Sequence, residues 1–344
     1  MTYRYVPKLR WMRGERVGIQ KLSQPARYDV VPLFVLAPKQ YVGRDATKHK
    51  PTIPAANRVS QEILSIWGTA PIYLDASYLP EPADGPHPIT RIARRARSDS
   101  LTLIPATRLN APANYQQAVN SMAQRDERGV ALRVDLQGMT SAASWIGDWP
   151  HPQSETDLIV DFADDAARAF ALGDSLKHAF LNLHGAGDWR SVTTIGSNMP
   201  DSFSGYAAGL HLIDRAEWKL WQHLIGAGLP YRLDYGDYAT VPTNPPPAGI
   251  RWGFPINVRY TLGTRIPYLP GSRHQRLCGR RNGRAAYWTC SGNRCLSRPH
   301  AVNEQLGDTR IDLIAAQTNG PQGLEHWVQI GVNRHIELTR DRLP

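Results

Sequence analysis

Short apolar runs that end in polar or charged residues recur along the chain. Eight of them predict strands, at residues 30–36, 72–76, 101–106, 130–136, 158–162, 191–196, 231–235 and 256–261. A continuous apolar run is typical of a parallel strand that is covered on both faces. Carboxylates stand at or just after the ends of four runs, as Asp75, Asp135, Asp161 and the pair Asp234 and Asp237. This repetition indicates polar groups gathered at one rim of a sheet, where parallel α/β folds bind ligands.

Segments with helical spacing separate most of these runs. Val59, Ile63 and Trp67 recur every four residues, and Tyr115 and Ala118 begin a similar pattern. Such spacing is typical of helices with one apolar face. Strands that alternate with helices predict parallel βαβ units, and eight units predict an α/β fold with a closed (β/α)8 barrel of the TIM type. The alternative is an open doubly wound sheet, which is built from the same units.

The composition divides the chain into four predicted parts. Residues 1–27 form an N-terminal extension with one extended stretch and one short helix, and residues 28–262 form the barrel. Residues 263–305 are rich in Arg and contain all three Cys, without regular hydrophobic spacing. Residues 306–344 form a C-terminal segment that packs on the barrel, and the stretch 327–336 within it looks like a strand.

The basic balance of the chain bears on its partners. The 344 residues carry a formal net charge of +10, with a pI of about 9.6. This charge favours nucleic acid or an anionic small molecule as a partner, but it does not bear on the fold. Part of the excess lies in residues 91–97 and 273–298, where the competing interpretation is a solvated helix face and a loop.

Cysteine use and hydropathy favour a cytoplasmic protein. Three cysteines do not make a disulfide framework, and an odd number suits a reducing compartment. The N-terminus has no charged-then-apolar signal segment. No apolar run approaches the roughly 20 residues that cross a bilayer, so we expect no membrane partner.

Five short motifs, taken in their order and spacing, carry a family resemblance. They are Tyr5-Val-Pro-Lys-Leu-Arg-Trp-Met-Arg-Gly-Glu15, Val31-Pro-Leu33, Gly236-Asp-Tyr238, Arg259-Tyr-Thr261 and Gly331-Val-Asn-Arg-His335. This set resembles the beta family proteins, which are bacterial and phage-encoded proteins named after a phage beta protein. The resemblance spans nearly the whole chain except residues 263–305. It implies a prophage or bacterial protein of mobile or anti-phage defence gene neighbourhoods, with a protein partner from such an operon, but no particular activity.

The chain departs from the family pattern in two places. Family members often carry Glu at the end of the first strand run, where this chain has Val35. If that carboxylate serves as a metal ligand or general base in the family, this chain lacks that group. The second departure is residues 270–300, which lack the ordinary helical segment of the family and read like a locally shifted frame.

Residues of the predicted rim supply the candidate chemistry. Converging carboxylates would raise one another's pKa or hold a divalent metal ion, which is the candidate cofactor. Arg259 would bind a phosphate or carboxylate through two parallel hydrogen bonds. The catalytic candidates are Asp135, Asp237 and His335. The ligand-binding candidates are Asp75, Arg133, Asp161, Tyr238, Arg259, Tyr260 and Asn333, and Ser197 belongs to the same rim.

Each of these candidates also has a structural interpretation. A carboxylate that follows a barrel strand often caps the next helix or pairs with Arg. Asp237 can form a turn with the backbone two residues later. Asn333 and His335, two apart on a predicted strand, would face one side. His is the ready acid or base near neutral pH, although a lone His is more often structural.

A cluster of thiols and imidazoles lies in the basic segment. Cys278, Cys290, Cys295 and His300 could bind zinc tetrahedrally. Their spacing lacks the tight Cys-x-x-Cys knuckle, and the alternative is three free thiols in a loop.

Two functions of different class therefore compete. The first is an enzyme, a hydrolase or lyase that acts on a phosphorylated or anionic substrate at the barrel mouth. The second is a non-enzymatic module that binds nucleic acid or a protein. The enzyme hypothesis expects Asp75, Asp135, Asp161, Asp237 and Arg259 to converge in one pocket.

Overall fold

The structure is a computed structural model that describes residues 3–42, 55–82, 85–185, 187–201, 206, 211–244, 257–259, 261, 265–270 and 324–344. The strands, in chain order, are β1 (Tyr5–Arg10), β2 (Leu33–Val35), β3 (Ile72–Asp75), β4 (Leu103–Arg108), β5 (Val130–Val134), β6 (Thr156–Asp161), β7 (Ser191–Gly196), β8 (His211–Asp214), β9 (Leu233–Asp237), β10 (Asn257–Arg259) and β11 (Arg265–Pro270).

Eight parallel strands close into a barrel in the order β1 to β7 and then β9, which pairs back onto β1. The predicted (β/α)8 barrel of the TIM type is therefore confirmed, and the open doubly wound sheet is excluded. The remaining strands form a separate antiparallel sheet in the order β10-β11-β8. Because all eight barrel strands run the same way, their carboxyl ends meet at one mouth.

The membership of the barrel corrects the predicted strand set at two positions. Residues 5–10, assigned by the sequence to an extension, form β1 and close the barrel between β2 and β9. Residues 256–261, predicted as the eighth barrel strand, contain β10 of the antiparallel sheet. The physical reason is that β1 alternates polar and apolar residues, with Lys8 and Arg10 among apolar neighbours. It therefore lacks the continuous apolar run that marked the other strands.

Helices cover the outside of the barrel. They are α1 (Arg13–Gln20), α2 (Gln24–Arg27), α3 (Pro38–Val42), α4 (Ala55–Trp67), α5 (Pro88–Ser98), α6 (Ala113–Asp126), α7 (Leu136–Thr140), α8 (Ala166–Ala171), α9 (Gly173–Gly185), α10 (Ala216–Gly226) and α11 (Leu324–Arg342), with 3-10 turns at Ala142–Ser144, Ile146–Asp148 and Gln153–Glu155. None of the described helices is long and apolar enough to cross a membrane.

Helix α5 shows how the basic segment 91–97 is accommodated. Pro88 opens the helix and the His87 ring accepts a hydrogen bond from the Ile89 amide, as an N-cap does. Ile89, Ile92, Ala93 and Ala96 are buried, so the arginines lie on the other faces. Two of those arginines form ion pairs, Arg95 with Asp99 and Arg97 with Asp126.

Helix α11 overturns the strand predicted at 327–336. Nearly every residue from Trp327 to Thr339 is buried, because α11 packs against α1, α2 and β10. A helix buried all round has no polar face, so its sequence loses the 3.6-residue period that would identify it. Asn333 and His335 consequently lie on different sides of a helix and do not share a strand face.

Candidate functional site

The strand register fixes which side chains point into the barrel mouth. Lys8 of β1, Asp75 of β3, Arg133 of β5 and Asp161 of β6 lie near the carboxyl ends of their strands. Arg108 of β4 pairs in register with Arg133 and therefore shares its inward face. The closed topology thus brings together three cations and two carboxylates that are far apart in the chain.

Lys8 is held by two oxygens across the barrel. Its Nζ lies 2.6 Å from Asp161 Oδ2 and 2.6 Å from the Tyr238 hydroxyl. The Tyr238 hydroxyl donates to the same carboxylate, at 2.9 Å from Oδ1 and 3.1 Å from Oδ2. The amine, the phenol and the carboxylate therefore form a closed triangle through which a proton can move. The Lys8 side chain is 12% exposed, so it is still reachable from outside.

Arg133 lies between the two carboxylates of the mouth. Its Nη1 is 2.9 Å from Asp75 Oδ2, and its Nε is 3.6 Å from Asp161 Oδ2. Asp75 is fixed from the other side by Ser77, whose amide and hydroxyl donate to Oδ1 at 3.0 and 2.7 Å. Despite the ion pair, Arg133 Nη1 is buried and makes no hydrogen bond within the part of the chain that the structure describes.

Arg108 adds a second buried donor at the mouth. Its guanidinium carbon lies 5.1 Å from the ring centre of Tyr78, which is 45% exposed. A cation over an aromatic face is attracted by the ring quadrupole. The Arg108 Nε is buried without a hydrogen-bond partner among the described residues. Lys8, Arg108 and Arg133 exceed Asp75 and Asp161 by one positive charge, which suits an anionic ligand.

The environment of the mouth shifts the pKa values of its groups in different directions. Burial, reinforced by the charge of Arg133, lowers the pKa of Lys8 to about 8, although Asp161 opposes the shift. Burial would raise the pKa of Asp161, but Lys8 and Arg133 hold it below its usual value. Burial raises the pKa of Tyr238 well above its usual value, with Asp161 contributing. Near neutral pH the carboxylate is ionised, the phenol is protonated, and the amine exists in both forms.

The floor of the barrel carries a second ionic network with a different character. Near the start of β6, Asp157 accepts from Arg190, from the Tyr73 hydroxyl at 2.8 Å and from the Ser191 hydroxyl at 2.6 Å. Asp234, near the start of β9, pairs with Arg4 and Arg232. Every buried oxygen of these two carboxylates has a hydrogen-bond partner. Both floor carboxylates are therefore satisfied, whereas two buried donors of the mouth, Arg133 Nη1 and Arg108 Nε, make no hydrogen bond with any residue that the structure describes.

Asp237 and His335 meet in a third polar cluster outside the barrel wall. His335 Nε2 lies 2.7 Å from Asp237 Oδ2, and His335 Nδ1 lies 2.7 Å from Thr261 Oγ1. The Asp237 carboxylate also accepts from the hydroxyls of Tyr5 and Tyr235, each at 2.7 Å. Arg215 adds an ion pair to Asp237 at 3.1 Å.

This wall cluster is sealed between the barrel and the helices that cover it. Asp237 and Tyr235 alternate with Gly236, so they face away from the interior that Lys8 occupies. Burial and the charge of Arg215 lower the pKa of His335, although Asp237 opposes the shift. Burial opposes ionisation of Asp237, but His335 and Arg215 keep its pKa below the usual value. Because an ionised Asp237 only accepts, the neutral His335 carries its proton on Nε2 and accepts from Thr261 on Nδ1.

The predicted site residues thus separate into distinct places. Asp75, Arg133, Asp161 and Tyr238 converge at the mouth, while Asp237 and His335 lie in the wall cluster. Asp135 is exposed and caps α7, its Oδ1 accepting from the Gly138 amide at 2.7 Å. The five groups expected in one pocket therefore do not converge as a set. The catalytic roles of Asp135, Asp237 and His335 and the ligand-binding roles of the other candidates stay predictions.

The other described ligand-binding candidates and Ser197 form hydrogen bonds of their own that do not include Lys8, Asp161 or Tyr238. Arg259 donates to the Thr240 carbonyl at 2.8 Å, and the Asn333 amide donates to the Gly18 carbonyl at 3.2 Å. Ser197 accepts from the Met199 amide at 3.0 Å in a local turn. Val35 sits in register with Asp75, so the missing family Glu would have faced the mouth.

The described residues contain no set of ligands for the predicted metal sites. Among them, no group of three His, Cys, Asp or Glu is placed to hold a metal ion. Between Asp75 and Asp161, where a divalent cation would bind, lies the guanidinium of Arg133. Tyr260, Cys278, Cys290, Cys295 and His300 lie outside the described residues.

Sequence reasoning missed Lys8 and Arg108, the two mouth cations that complete the site. Lys8 lies in the segment set apart as an extension, and Arg108 follows the predicted end of its strand. A signal for Lys8 existed in the alternation of Lys8 and Arg10 with Pro7 and Leu9, which is typical of a strand with one polar face.

Comparison with protein families gives a match over most of the chain. The family model described as Beta protein matches residues 5–339. No curated protein matches the chain. The matched range begins at the first residue of β1 and extends into α11, so it includes the mouth residues and the wall cluster.

Proposed function

The chain belongs to the Beta protein family, and from that premise we propose that the barrel mouth is the active site of an enzyme. Its substrate is a small molecule that carries a phosphate or carboxylate group. The observation that carries the proposal is the pair of buried donors, Arg133 Nη1 and Arg108 Nε, that lack hydrogen bonds among the described residues. A buried donor without a hydrogen bond is rare in folded proteins and costs about 1–3 kcal/mol. Arg133 Nη1 keeps its ion pair with Asp75 at 2.9 Å, whereas Arg108 Nε has no hydrogen bond among the described residues. An anion between the two arginines would satisfy both.

The mouth triangle supplies the chemistry of the proposal. A general acid or base works best when its pKa lies near the working pH, and Lys8 meets that condition with a pKa of about 8. Tyr238 and Asp161 contact Lys8 directly, so they can exchange a proton with it. The anion-binding arginines would hold the substrate beside this amine. Proton transfer at a bound anionic substrate suits either a hydrolase or a lyase.

The competing nucleic-acid module has weaker support. One of its sequence arguments was the arginine run on α5, and two of those four arginines form ion pairs with Asp99 and Asp126. The charge of Arg95 and Arg97 is therefore partly neutralised on the protein itself. Elution from a nucleic-acid column at higher salt than a charge-matched control protein would favour the module.

Binding of inorganic phosphate to the full chain tests the proposed site. Calorimetric titration should show one site in the wild type, and Arg133→Gln should weaken binding by about 10- to 100-fold, since a charge-assisted contact contributes about 1.5–3 kcal/mol. Arg108→Gln should weaken it in the same direction. Arg125→Gln, an exposed change on α6, serves as the control and should leave binding unchanged. Equal phosphate affinity in all four proteins would contradict the proposal.

A further inference from the structure

Lysine is scarce in this chain, yet one lysine points into the barrel mouth. Only seven of the 40 basic residues are lysines. The other two mouth cations, Arg108 and Arg133, stay protonated at any pH at which the protein is folded. A lysine differs because it can lose its proton and then act as a nucleophile. The side chain at this position is therefore the mouth cation that is able to form a covalent bond.

Resting on the proposed function, we propose that Lys8 forms an imine with the carbonyl carbon of the substrate. The substrate class is accordingly an aldehyde or ketone that also carries a phosphate or carboxylate group. The anionic group would bind Arg108 and Arg133, and the carbonyl group would face Lys8. The geometry that supports this assignment is the contact of Lys8 with a phenol and a carboxylate, each at 2.6 Å.

The first half of the step is an addition. The neutral amine of Lys8 attacks the carbonyl carbon, and a C–N bond forms as the carbonyl π bond breaks. The Tyr238 hydroxyl gives its proton to the carbonyl oxygen. The nitrogen of the adduct then returns one proton to the Tyr238 oxygen, directly or through Asp161, which contacts both groups. The product is a carbinolamine, and every side chain regains its initial protonation state.

The second half of the step is a dehydration. The Tyr238 hydroxyl protonates the carbinolamine oxygen, the C–O bond breaks, and one water leaves. The nitrogen lone pair forms the C=N bond, and the nitrogen proton returns to the Tyr238 oxygen. One carbonyl group and one amine thus yield one imine and one water, with no oxidant or reductant.

The surroundings of Lys8 favour this chemistry at neutral pH. Burial and the nearby Arg133 lower the pKa of Lys8 to about 8, so a useful fraction of the amine is neutral. An unperturbed lysine has a pKa of about 10.4 and is almost wholly protonated there. The side chain is 12% exposed, which leaves access for a small carbonyl compound.

Reductive trapping with two matched probes tests the imine. Glyoxylate is an aldehyde with a carboxylate, and acetaldehyde is a neutral aldehyde of similar size. Each is incubated with the full chain and cyanoborohydride at about pH 7.5, and the modified lysines are mapped by peptide mass spectrometry. Because part of its amine is neutral at this pH, Lys8 should react with glyoxylate at least tenfold faster than Lys219, a half-exposed lysine paired with Asp214. Acetaldehyde should show a smaller preference.

Further variants separate this inference from the proposed function. Tyr238→Phe should slow glyoxylate trapping at Lys8 about tenfold, since a general acid contributes at least that much. A Lys8 preference that acetaldehyde fully shares would support the imine and count against the anion site. Lys8 modified no faster than Lys219 would overturn the imine, even if phosphate still binds and Arg133→Gln still weakens that binding.

Discussion

At the scale of single residues, Asp161 is the main group that raises the pKa of Lys8 against the effect of burial. Asp161 contacts the amine at 2.6 Å and raises its pKa, while burial and Arg133 lower it. The net result, a pKa of about 8, is a balance of opposed effects. Changing one neighbour should therefore move the balance in a known direction.

Asp161→Asn should lower the pKa of Lys8 below 8. The substitution removes the favourable negative charge and keeps both burial and the positive charge of Arg133. The measurement is competitive acetylation of Lys8 with acetic anhydride across a pH series, read by peptide mass spectrometry. Asp126→Asn, which removes the partner of Arg97 on α6, is the control and should leave the midpoint in place. A midpoint that moves upward in Asp161→Asn would contradict the assignment.

At the scale of elements, the contact between α1 and α11 shows why the termini of the chain fold together. Gly14 and Gly18 let α11 approach α1 so closely that an added Cβ at Gly18 would lie 3.0 Å from Val332 and 3.1 Å from the Gln329 carbonyl. The Asn333 amide donates to the Gly18 carbonyl in the same contact. Because α1 follows β1 directly, this packing also fixes the strand that carries Lys8.

Gly18→Ala should lower the free energy of unfolding by about 1–3 kcal/mol, since the extra methyl forces α1 and α11 apart. A gain of up to about 1 kcal/mol in helix propensity would partly offset the loss. Gly226→Ala is the matched control, because Gly226 ends α10 with nothing within 4 Å of an added Cβ. Urea unfolding should show the control at or above wild-type stability, and equal stability of the two variants would disprove the tight contact.

At the scale of the whole molecule, three polar networks share one barrel and serve different ends. The floor carboxylates are paired, and the wall cluster ties β1 and β9 to α10 and α11. The mouth has two buried donors without a hydrogen bond in the part of the chain that the structure describes. Glu217 borders the wall cluster, 3.4 Å from Arg215, and its Oε2 is buried without a partner among the described residues. Burial raises the pKa of Glu217 to about 7, which makes its ionisation unfavourable for the fold.

Glu217→Gln should remove part of the pH dependence of stability. The folded pKa of about 7 exceeds the ordinary value of 4.5, so the folded state binds the proton more tightly than the unfolded state. The stability due to that proton is complete below pH 4.5 and is lost as the pH rises through 7. Relative to the variant, the wild type should lose about 3 kcal/mol at most between those limits.

Urea unfolding of both proteins at several pH values measures this difference. The free energy of unfolding of the variant, relative to that of the wild type, should increase as the pH rises from about 5 to about 8. Glu155→Gln, an exposed change, should follow the wild type at every pH. A difference between Glu217→Gln and wild type that stays constant with pH would show that Glu217 does not ionise over this range.

The sequence by itself determined the barrel and indicated four of the residues at its mouth, Asp75, Arg133, Asp161 and Tyr238. Continuous apolar runs followed by Asp75, Arg133 and Asp161 reflect strands covered on both faces, and that local signal does not depend on knowing the partners. The sequence could not reveal β1, whose polar interior residues break the apolar run, or α11, whose burial on all sides hides its period.

Only the tertiary structure decided how the polar groups combine. Asp135, Asp161 and Asp237 look alike in the chain, yet one caps a helix, one faces the mouth and one faces the covered outer wall. The register of a strand sets the face to which each side chain points, and a shift of one residue reverses that direction. Lys8 meets Asp161, 153 positions away in the chain, because closure of the barrel leaves only β7 and β9 between β6 and β1. That closure is a property of the whole molecule, and no local pattern encodes it.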